Sequence, residues 1–384
     1  MALASERLLE ADIVTRAEYN DNIFLTSGPH DEVTGLTVTP SLSGIIKEEN
    51  WEANLNARLK FQRYSDNTLD GNDQFFDLTG QYNAQRNIFS LNVNHNLDSN
   101  LSSTSTDFGI AGRRVDRKRQ SITPQYTRLL TERLTLSLSY MYTDVDYLDA
   151  DNTGFIPYVT ESGSATVQYS LTQRDRVSFS LQLVDYESKN DLTTYQLFTT
   201  RVGTRHEFSE TLSSDFLIGV SRQNSTNLNL ETIDFFDQTI TRTLESDSKN
   251  RSLVLDAGIT KVFESGSIGS RLSRSDSTNS FGGLNQIDKI SFSYEEKLSS
   301  LWRSDVNLSF QDITSISSNN SEADRDVFMF STVFSYSISP KWDANASYRY
   351  IARKFKGDDS DDRAPHSNRV YVSMTYNFPS LLTF

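Results

Sequence analysis

The side chains that usually carry catalytic or metal chemistry are scarce in this sequence of 384 residues. It contains no cysteine, which excludes a thiolate nucleophile, a cysteine-ligated zinc and a covalently attached c-type haem. The four histidines are too widely spaced in sequence to pair as metal ligands on one helix face; they are His30, His95, His206 and His366. We therefore expect no metal site and no cofactor.

One stretch imitates the start of a calcium-binding loop. Asp149, Asp151 and Gly154 stand where such a loop has two ligands and its glycine, but Thr160 occupies the place of the bidentate glutamate. Serine is abundant, yet no motif marks any serine as a nucleophile. The sequence therefore predicts a protein that is not an enzyme.

The densest charge in the chain is the basic run from Arg113 to Arg119. The chain as a whole is acidic, with 51 Asp and Glu residues against 37 Lys and Arg residues and a formal net charge of −14. The run also lacks interleaved aromatic residues. Nucleic acid is therefore not an expected partner.

Apolar and polar residues alternate with a period of two along most of the chain. From Trp51 to Phe61 every odd position is apolar, whereas every even position from Glu52 to Gln62 is polar or charged. The same division recurs at 134–142, 177–183 and 306–310. This pattern predicts strands with one apolar and one polar face, longer than the about five or six residues usual in soluble sheets.

Short and long breaks alternate between these segments. Short breaks suited to tight turns lie at 47–50, 85–87, 130–132, 172–174, 209–211, 264–266, 298–300 and 339–341. Longer segments rich in Asp, Asn, Ser and Gly separate them. Tight turns at one end and long loops at the other are typical of a transmembrane β-barrel.

The sequence thus predicts an all-β fold, a transmembrane antiparallel up-and-down β-barrel of about 18 strands. We expect residues 1–11 to form an N-terminal periplasmic segment, 12–378 the barrel and 379–384 a C-terminal tail. The turns would be periplasmic, the long loops extracellular and both termini periplasmic. Because a lipid-facing strand is apolar only at every second position, a hydrophobic content of just 36% is sufficient. The expected location is the bacterial outer membrane, in contact with its lipid and lipopolysaccharide.

The tryptophans provide an independent indication of this orientation. Trp51, Trp302 and Trp342 each follow a predicted tight turn and share the parity of the apolar face. They would form one aromatic girdle, since Trp and Tyr collect where lipid meets water. A second girdle near the opposite strand ends would consist of Tyr64, Tyr142, Tyr186 and Tyr350.

Apolar and polar residues alternate along the C-terminal segment, which ends in aromatic residues. Tyr376 and Phe378 close the last predicted strand, which resembles the terminal signal by which outer-membrane barrels are recognised for assembly. The barrel-assembly machinery is therefore an expected partner. Because the chain continues beyond Phe378, the terminal Phe384 is an alternative candidate for this recognition signal.

The same parity assigns a group of basic residues to the channel lining. They are Arg58, Lys60, Arg113, Arg117, Arg119, Arg201, Arg205, Arg349 and Arg353. A ring of arginines stays charged and lowers the energy of a passing anion, which predicts a mildly basic lumen beneath acidic outer loops. Alternatively, these residues pair with Asp or Glu on adjacent strands and only stiffen the wall. A single bulge would reverse the parity of everything beyond it.

Both ends of the chain carry a resemblance to a known family. Residues 18–24, EYNDNIF, and 36–42, LTVTPSL, resemble the opening of the outer-membrane β-barrel porins often encoded with exopolysaccharide biosynthesis genes. Residues 372–378, VSMTYNF, are similar to their final strand. The resemblance implies a pore for a secreted polysaccharide, comparable in strand number to alginate exporters, with a periplasmic export partner.

The leading functional expectation is therefore passive export of an anionic exopolysaccharide, with the segment 224–249 as a gating or inward-folded loop. A general or anion-selective diffusion porin is one alternative. A β-barrel sleeve of a porin–cytochrome electron conduit is another, because it also needs a wide lumen. An enzyme barrel is the weakest of the alternatives.

Overall fold

The computed structural model describes residues 6–101, 112–148, 153–235, 238–316, 324–356, 364–380 and 382–383. Alternating segments form long strands, which run antiparallel to their sequence neighbours. The strands are β1 Glu6–Asn20, β2 Val33–Lys47, β3 Trp51–Tyr64, β4 Gly71–Ala84, β5 Asn87–Ser99, β6 Asp116–Leu129, β7 Leu134–Leu148, β8 Tyr158–Ser170, β9 Asp175–Ser188, β10 Thr193–Ser209, β11 Leu212–Phe235, β12 Gln238–Phe263, β13 Gly266–Thr278, β14 Leu284–Lys297, β15 Trp302–Ser315, β16 Arg325–Ser339, β17 Trp342–Phe355, β18 His366–Asn377 and β19 Leu382–Thr383.

The sheet closes on itself between the first and the last long strand. β1 pairs with β2 on one side and with β18 on the other, from Asp12 opposite Asn377 to Asn20 opposite Arg369. This closure leaves no long edge strand, since every long strand has a partner on both sides. The prediction of an antiparallel barrel of about 18 strands is confirmed, with β19 as a short addition beside β18.

The remaining regular structure is a 3₁₀ turn over Asn67–Leu69. No helix in the described residues is long and apolar enough to cross a membrane.

The wall begins earlier in the chain than the predicted boundary at residue 12. β1 starts at Glu6, and residues 6–11 pair with residues 42–47 of β2. Leu8 and Leu9 are adjacent apolar residues and break the alternation, which conceals the start of the strand. The predicted tail likewise returns to the wall, because Leu382 pairs with Leu9.

The two faces of the wall have the character that the alternation predicts. Large apolar side chains on the outer face are exposed, as Leu55, Leu59 and Phe61 on β3 illustrate, while polar side chains occupy the positions between them. Such an outer face suits a lipid environment and not water.

The tryptophans lie at the first residues of β3, β15 and β17 and are exposed. Trp302 packs against Tyr336 and Trp342 against Tyr376, with ring centroids 4.6 Å and 4.8 Å apart. That these rings form an interfacial girdle stays a prediction.

The second predicted girdle is wrong for two of its four members. Tyr64 donates a hydrogen bond to Glu18 on the inner face, and Tyr186 is buried in the lumen. Both occupy sequence positions whose side chains face the lumen. A location near the strand end was therefore not enough to predict a ring at the membrane surface.

The segment 224–249 is a paired ribbon and not a loop. β11 and β12 pair without interruption from Leu212 opposite Lys261 to Phe235 opposite Gln238. The ribbon extends beyond the adjacent ladders, which reach only Asn227 on the β10 side and Leu255 on the β13 side. Its apolar residues change parity, from Leu228 and Leu230 to Ile233 and Phe235, so no continuous apolar face marked it as strand in the sequence.

Candidate functional site

The barrel lumen collects most of the basic residues that the sequence assigns to it. Eight of them lie on wall strands, at positions opposite in parity to the exposed apolar side chains: Arg58, Lys60, Arg117, Arg119, Arg201, Arg205, Arg349 and Arg353. Arg113 lies in the segment before β6 and is exposed. That these residues act in conduction stays a prediction. Their positions in the structure show which of them have hydrogen-bond or ion-pair partners in the wall.

Some of these residues are held in ion pairs within the wall. Arg117 forms a two-pronged pair with Asp98, in which Nε lies 3.1 Å from Oδ1 and Nη2 lies 2.8 Å from Oδ2. Both side chains are buried. On the neighbouring strands Asp73 accepts hydrogen bonds from Lys60, Gln62 and Arg114 at 3.4, 2.7 and 3.1 Å. For these residues the wall-stiffening alternative fits the contacts.

Removing one member of the buried pair should therefore destabilise the barrel. Replacing Asp98 by Ala leaves the buried Arg117 charge without this carboxylate, and we expect a loss of about 3 kcal/mol in the free energy of unfolding. The matched control is Asp305→Ala, since Asp305 pairs with an exposed Arg303 at 3.4 Å and should cost less than about 1 kcal/mol. Urea unfolding in lipid vesicles measures both; equal midpoints would contradict the structural role of the Arg117 pair.

Other lumenal arginines have no such partner. Arg58, Arg119, Arg201 and Arg349 make no hydrogen bond or ion pair with any residue that the structure describes. Arg58 instead lies over the ring of Phe75, 4.5 Å from its centroid. Unpaired guanidinium groups keep their field directed into the lumen, where a passing anion would meet it.

One group of basic residues converges where β1, β17 and β18 meet. Arg369 Nη2 lies 2.6 Å and Arg16 Nη2 3.0 Å from the same carboxylate oxygen, Oε2 of Glu18. Arg349 on β17 is directly opposite Arg369 in the ladder. The sequence reasoning missed Arg16 and Arg369, although each has the parity of residues it had placed inward.

The long-loop end of the lumen is narrowed by the tip of the β13–β14 hairpin. The β12–β13 ladder ends at Leu255 opposite Arg274, but β13 and β14 stay paired as far as Thr278 opposite Leu284. This tip, residues 275–284, therefore separates from β12, whereas residues 285–287 of β14 stay paired with residues 313–315 of β15. Leu284 is fully buried against inward-facing Tyr186 and Tyr195, which shows that the tip folds into the barrel.

An aromatic cluster anchors the tip to the wall strands β9 and β10. The rings of Tyr186 and Tyr195 stack at 4.4 Å with an interplanar angle of 4°, and Tyr195 hydrogen-bonds to Thr278 of the tip. Phe281 packs edge-on against Phe155, 5.3 Å between centroids. Stacked and edge-to-face pairs of this kind add stability beyond their buried area.

Backbone contacts fix the same arrangement. The N–H of Ile156 donates to the carbonyl of Ser280 at 2.8 Å, which ties the β7–β8 connection to the tip. Gly282 has φ +78°, where a side chain would be strained, and a Cβ there would also lie 3.3 Å from Ile156 and 3.4 Å from the Tyr186 hydroxyl. A glycine at this turn therefore permits the close approach.

A second set of segments folds together on the other side of the mouth. A buried apolar cluster is formed by Val33 at the start of β2, Leu69 in the β3–β4 connection and Leu101 in the β5–β6 connection. Ile23 and Phe24 pack against it. Arg353 donates from Nη2 to the carbonyl of Leu25 at 2.6 Å, which holds the β1–β2 connection against β17. The long-loop end is thus narrowed from two sides.

A cavity of about 280 Å³ lies beneath the tip, between it and the wall strands β9, β10 and β12. It is lined by Gln182, Val184, Tyr195, Leu197, Thr199, Arg201, Val254, Asp276, Ser277, Thr278 and Leu284. Among the residues that the structure describes, no three His, Asp or Glu side chains are grouped to hold a metal ion. The chemistry that the lumen offers is therefore charge recognition by guanidinium groups beside aromatic and hydroxyl side chains.

Comparison with known proteins agrees with the barrel architecture. No family model and no curated protein sequence matches the chain. Among solved structures, Pseudomonas aeruginosa OpdQ is 10% identical with a TM-score of 0.51, over 97% of this chain and 98% of that one. P. aeruginosa OpdL is 12% identical with a TM-score of 0.48, over 98% and 99%. P. aeruginosa OccK2 (OpdF), in complex with glucuronate, is 10% identical with a TM-score of 0.49, over 97% and 98%.

At such identity the likeness concerns the fold alone. The protein has the fold of a bacterial outer-membrane channel, a closed antiparallel barrel with 18 wall strands.

Proposed function

We propose that the protein is a passive outer-membrane channel for small anionic solutes, with its long loops outside the cell and both termini in the periplasm. The observation that carries the proposal is a set of lumenal guanidinium groups that make no hydrogen bond or ion pair with the described residues, Arg58, Arg119, Arg201 and Arg349. A carboxylate, phosphate or sulfate group in the lumen would gain from their field, whereas a cation would be repelled.

The folded-in segments favour small solutes over a polymer. A secreted polysaccharide must pass the long-loop end as an extended hydrated chain, and the tip of β13–β14 and the cluster around Leu69 both occupy space there. Export of an anionic exopolysaccharide, which the resemblance of the chain ends implies, would require these segments to move. A small anion could pass beside them.

Charge selectivity measured in a planar bilayer tests the proposal. Under a KCl gradient we expect the reversal potential of the wild-type protein to show anion preference. Replacing Arg58, Arg119, Arg201 and Arg349 together by Gln should move it strongly toward cation preference, because the acidic residues of the lumen remain. The matched control is Arg63→Gln with Arg128→Gln, two exposed residues on the outer face.

The same recording distinguishes the polymer alternative. Reversal potentials that are identical in wild type and lumen variant would contradict the anion-channel proposal. Sustained block of the current by an anionic polysaccharide, with oligosaccharides of the same repeat passing freely, would favour polymer export instead.

A further inference from the structure

The arginines around Glu18 form an arrangement that is unfavourable unless something else binds there. Arg349 and Arg369 face each other directly on neighbouring antiparallel strands, where like charges normally destabilise a sheet. Arg16 reaches the same place from β1, since its Nη2 and that of Arg369 share one Glu18 oxygen. Three guanidinium groups thus meet one carboxylate.

The neighbouring residues do not balance this charge. Glu18 is 6% exposed, and its other carboxylate oxygen already accepts from the Tyr64 hydroxyl at 3.1 Å. Asp73, a nearby lumenal carboxylate, is occupied by Lys60 at 3.4 Å and Arg114 at 3.1 Å. The cluster therefore keeps an excess of two positive charges among the residues that the structure describes.

Several donors of the cluster are also unused. The Nε atoms of Arg16 and Arg369 are buried and have no hydrogen-bond partner among the described residues. Nη2 of Arg16, although close to Glu18, lacks the geometry of a hydrogen bond. Unsatisfied donors of this kind are rare because each costs free energy, and three in one cluster indicate an acceptor that fills the gap.

The cluster is held rigidly enough to form a site. The Arg16 guanidinium lies over the ring of Tyr371, 5.0 Å from its centroid, so its plane is fixed from one side. Arg369 is fixed by its short contact to Glu18. Arg349 makes no hydrogen bond or ion pair with a residue that the structure describes and is therefore the group most available to a ligand.

We infer that Arg16, Arg349 and Arg369 form a lumenal binding site for a compact doubly charged oxyanion, inorganic phosphate or the phosphate group of a small monoester. A phosphate carries about −1.5 to −2 charges at neutral pH and offers three acceptor oxygens, which matches both the excess charge and the unused donors. A monocarboxylate would leave one charge unbalanced. Guanidinium forks bind such oxyanions with paired hydrogen bonds.

The site rests on the proposed function for its biological meaning, but it can be tested by equilibrium binding without any current. Isothermal titration of the purified barrel in detergent with inorganic phosphate at pH 8 should show one site per chain. Arg349→Gln should weaken binding about tenfold, as expected for loss of one charge-assisted contact, and Arg349→Lys should retain most of it. Arg128→Gln, an exposed arginine on the outer face of β6, is the matched control and should leave binding unchanged.

The chemical class is tested by competition, and folding is checked by the electrophoretic mobility of the unheated protein. Sulfate should displace phosphate, whereas acetate at the same concentration should not. Failure of the wild type to bind phosphate, equal weakening by Arg128→Gln, or equal displacement by acetate would each overturn the inference. Because none of these results involves conduction, an anion-selective channel without phosphate binding would refute the site alone, and phosphate binding in a cation-selective channel would refute the proposed function alone.

Discussion

Shortening the β13–β14 tip should raise the single-channel conductance several-fold. The change replaces residues 276–286 by Asn-Gly, so that a two-residue turn joins Ser275 to Ile287, which are already opposite each other in the ladder. The hairpin then ends one pair beyond Arg274 opposite Asp288, close to where β12 stops pairing with β13. The lumen loses Thr278, Phe281 and Leu284 and gains the cross-section that they occupied.

The wall should survive this change. The deleted residues contribute no pair to the β12–β13 ladder, which ends at Arg274. Their deletion removes only the last two pairs of the β14–β15 ladder, Asn285 with Ser315 and Gln286 with Thr314. The main loss is the packing of Phe281 on Phe155 and of Leu284 on the stacked tyrosines, with about 0.5–1.5 kcal/mol for the aromatic pair. The barrel should therefore still fold, with Tyr186 and Tyr195 newly accessible from the lumen.

A second turn at the same end of the barrel provides the control. Residues 189–192 join β9 to β10, and Lys189 there bonds to Asp144 and Asp146 rather than to the tip. Replacing this turn by Asn-Gly should leave the conductance close to that of the wild type. If both replacements gave the wild-type conductance in planar bilayers, the tip would not be the narrowest part of the channel.

The wall could be predicted from the sequence because its signal is local. Alternation in β3 is complete from Trp51 to Phe61, and the strand has those bounds within a few residues. Strands were missed where apolar residues are adjacent, as at Leu8 and Leu9, or change parity, as between Leu230 and Ile233 in the β11–β12 ribbon. Periodicity detects a strand only where its two faces meet different solvents.

The inner architecture depends on contacts that no local pattern contains. Residues 275–284 read as an ordinary polar loop with one phenylalanine, and the tyrosines that receive it are some distance away in sequence. Parity placed Arg117 and Arg349 alike on the inner face, yet the structure pairs the first with Asp98 and leaves the second without a described partner. Parity predicts which face of the sheet a side chain occupies. It does not predict how far the side chain extends or which residue it pairs with.

Replacing Phe378 by Ala should remove most of the protein from the outer membrane of cells while leaving the purified chain able to fold. Phe378 is exposed on the outer face and its N–H donates to the carbonyl of Ala11, a bond that the substitution keeps. Among the aromatic residues that the structure describes, its ring contacts Tyr376, edge-on at 4.8 Å. The expected loss of stability is therefore about 1 kcal/mol, too little to unfold a closed barrel.

The matched control is Phe334→Ala, because Phe334 lies on the outer face of β16 and is 43% exposed, as Phe378 is. If the terminal aromatic residue acts as a recognition signal, only the Phe378 variant should be depleted from isolated outer membranes, and both should refold from urea into detergent micelles. Tyr376→Ala should show the same depletion with a larger loss of stability, since its ring also packs on Trp342 at 4.8 Å. Equal depletion of the Phe334 and Phe378 variants would instead assign the effect to lipid-facing packing. Normal levels of the Phe378 variant with depletion by Phe384→Ala would move the signal to the chain end, which lies outside the described residues.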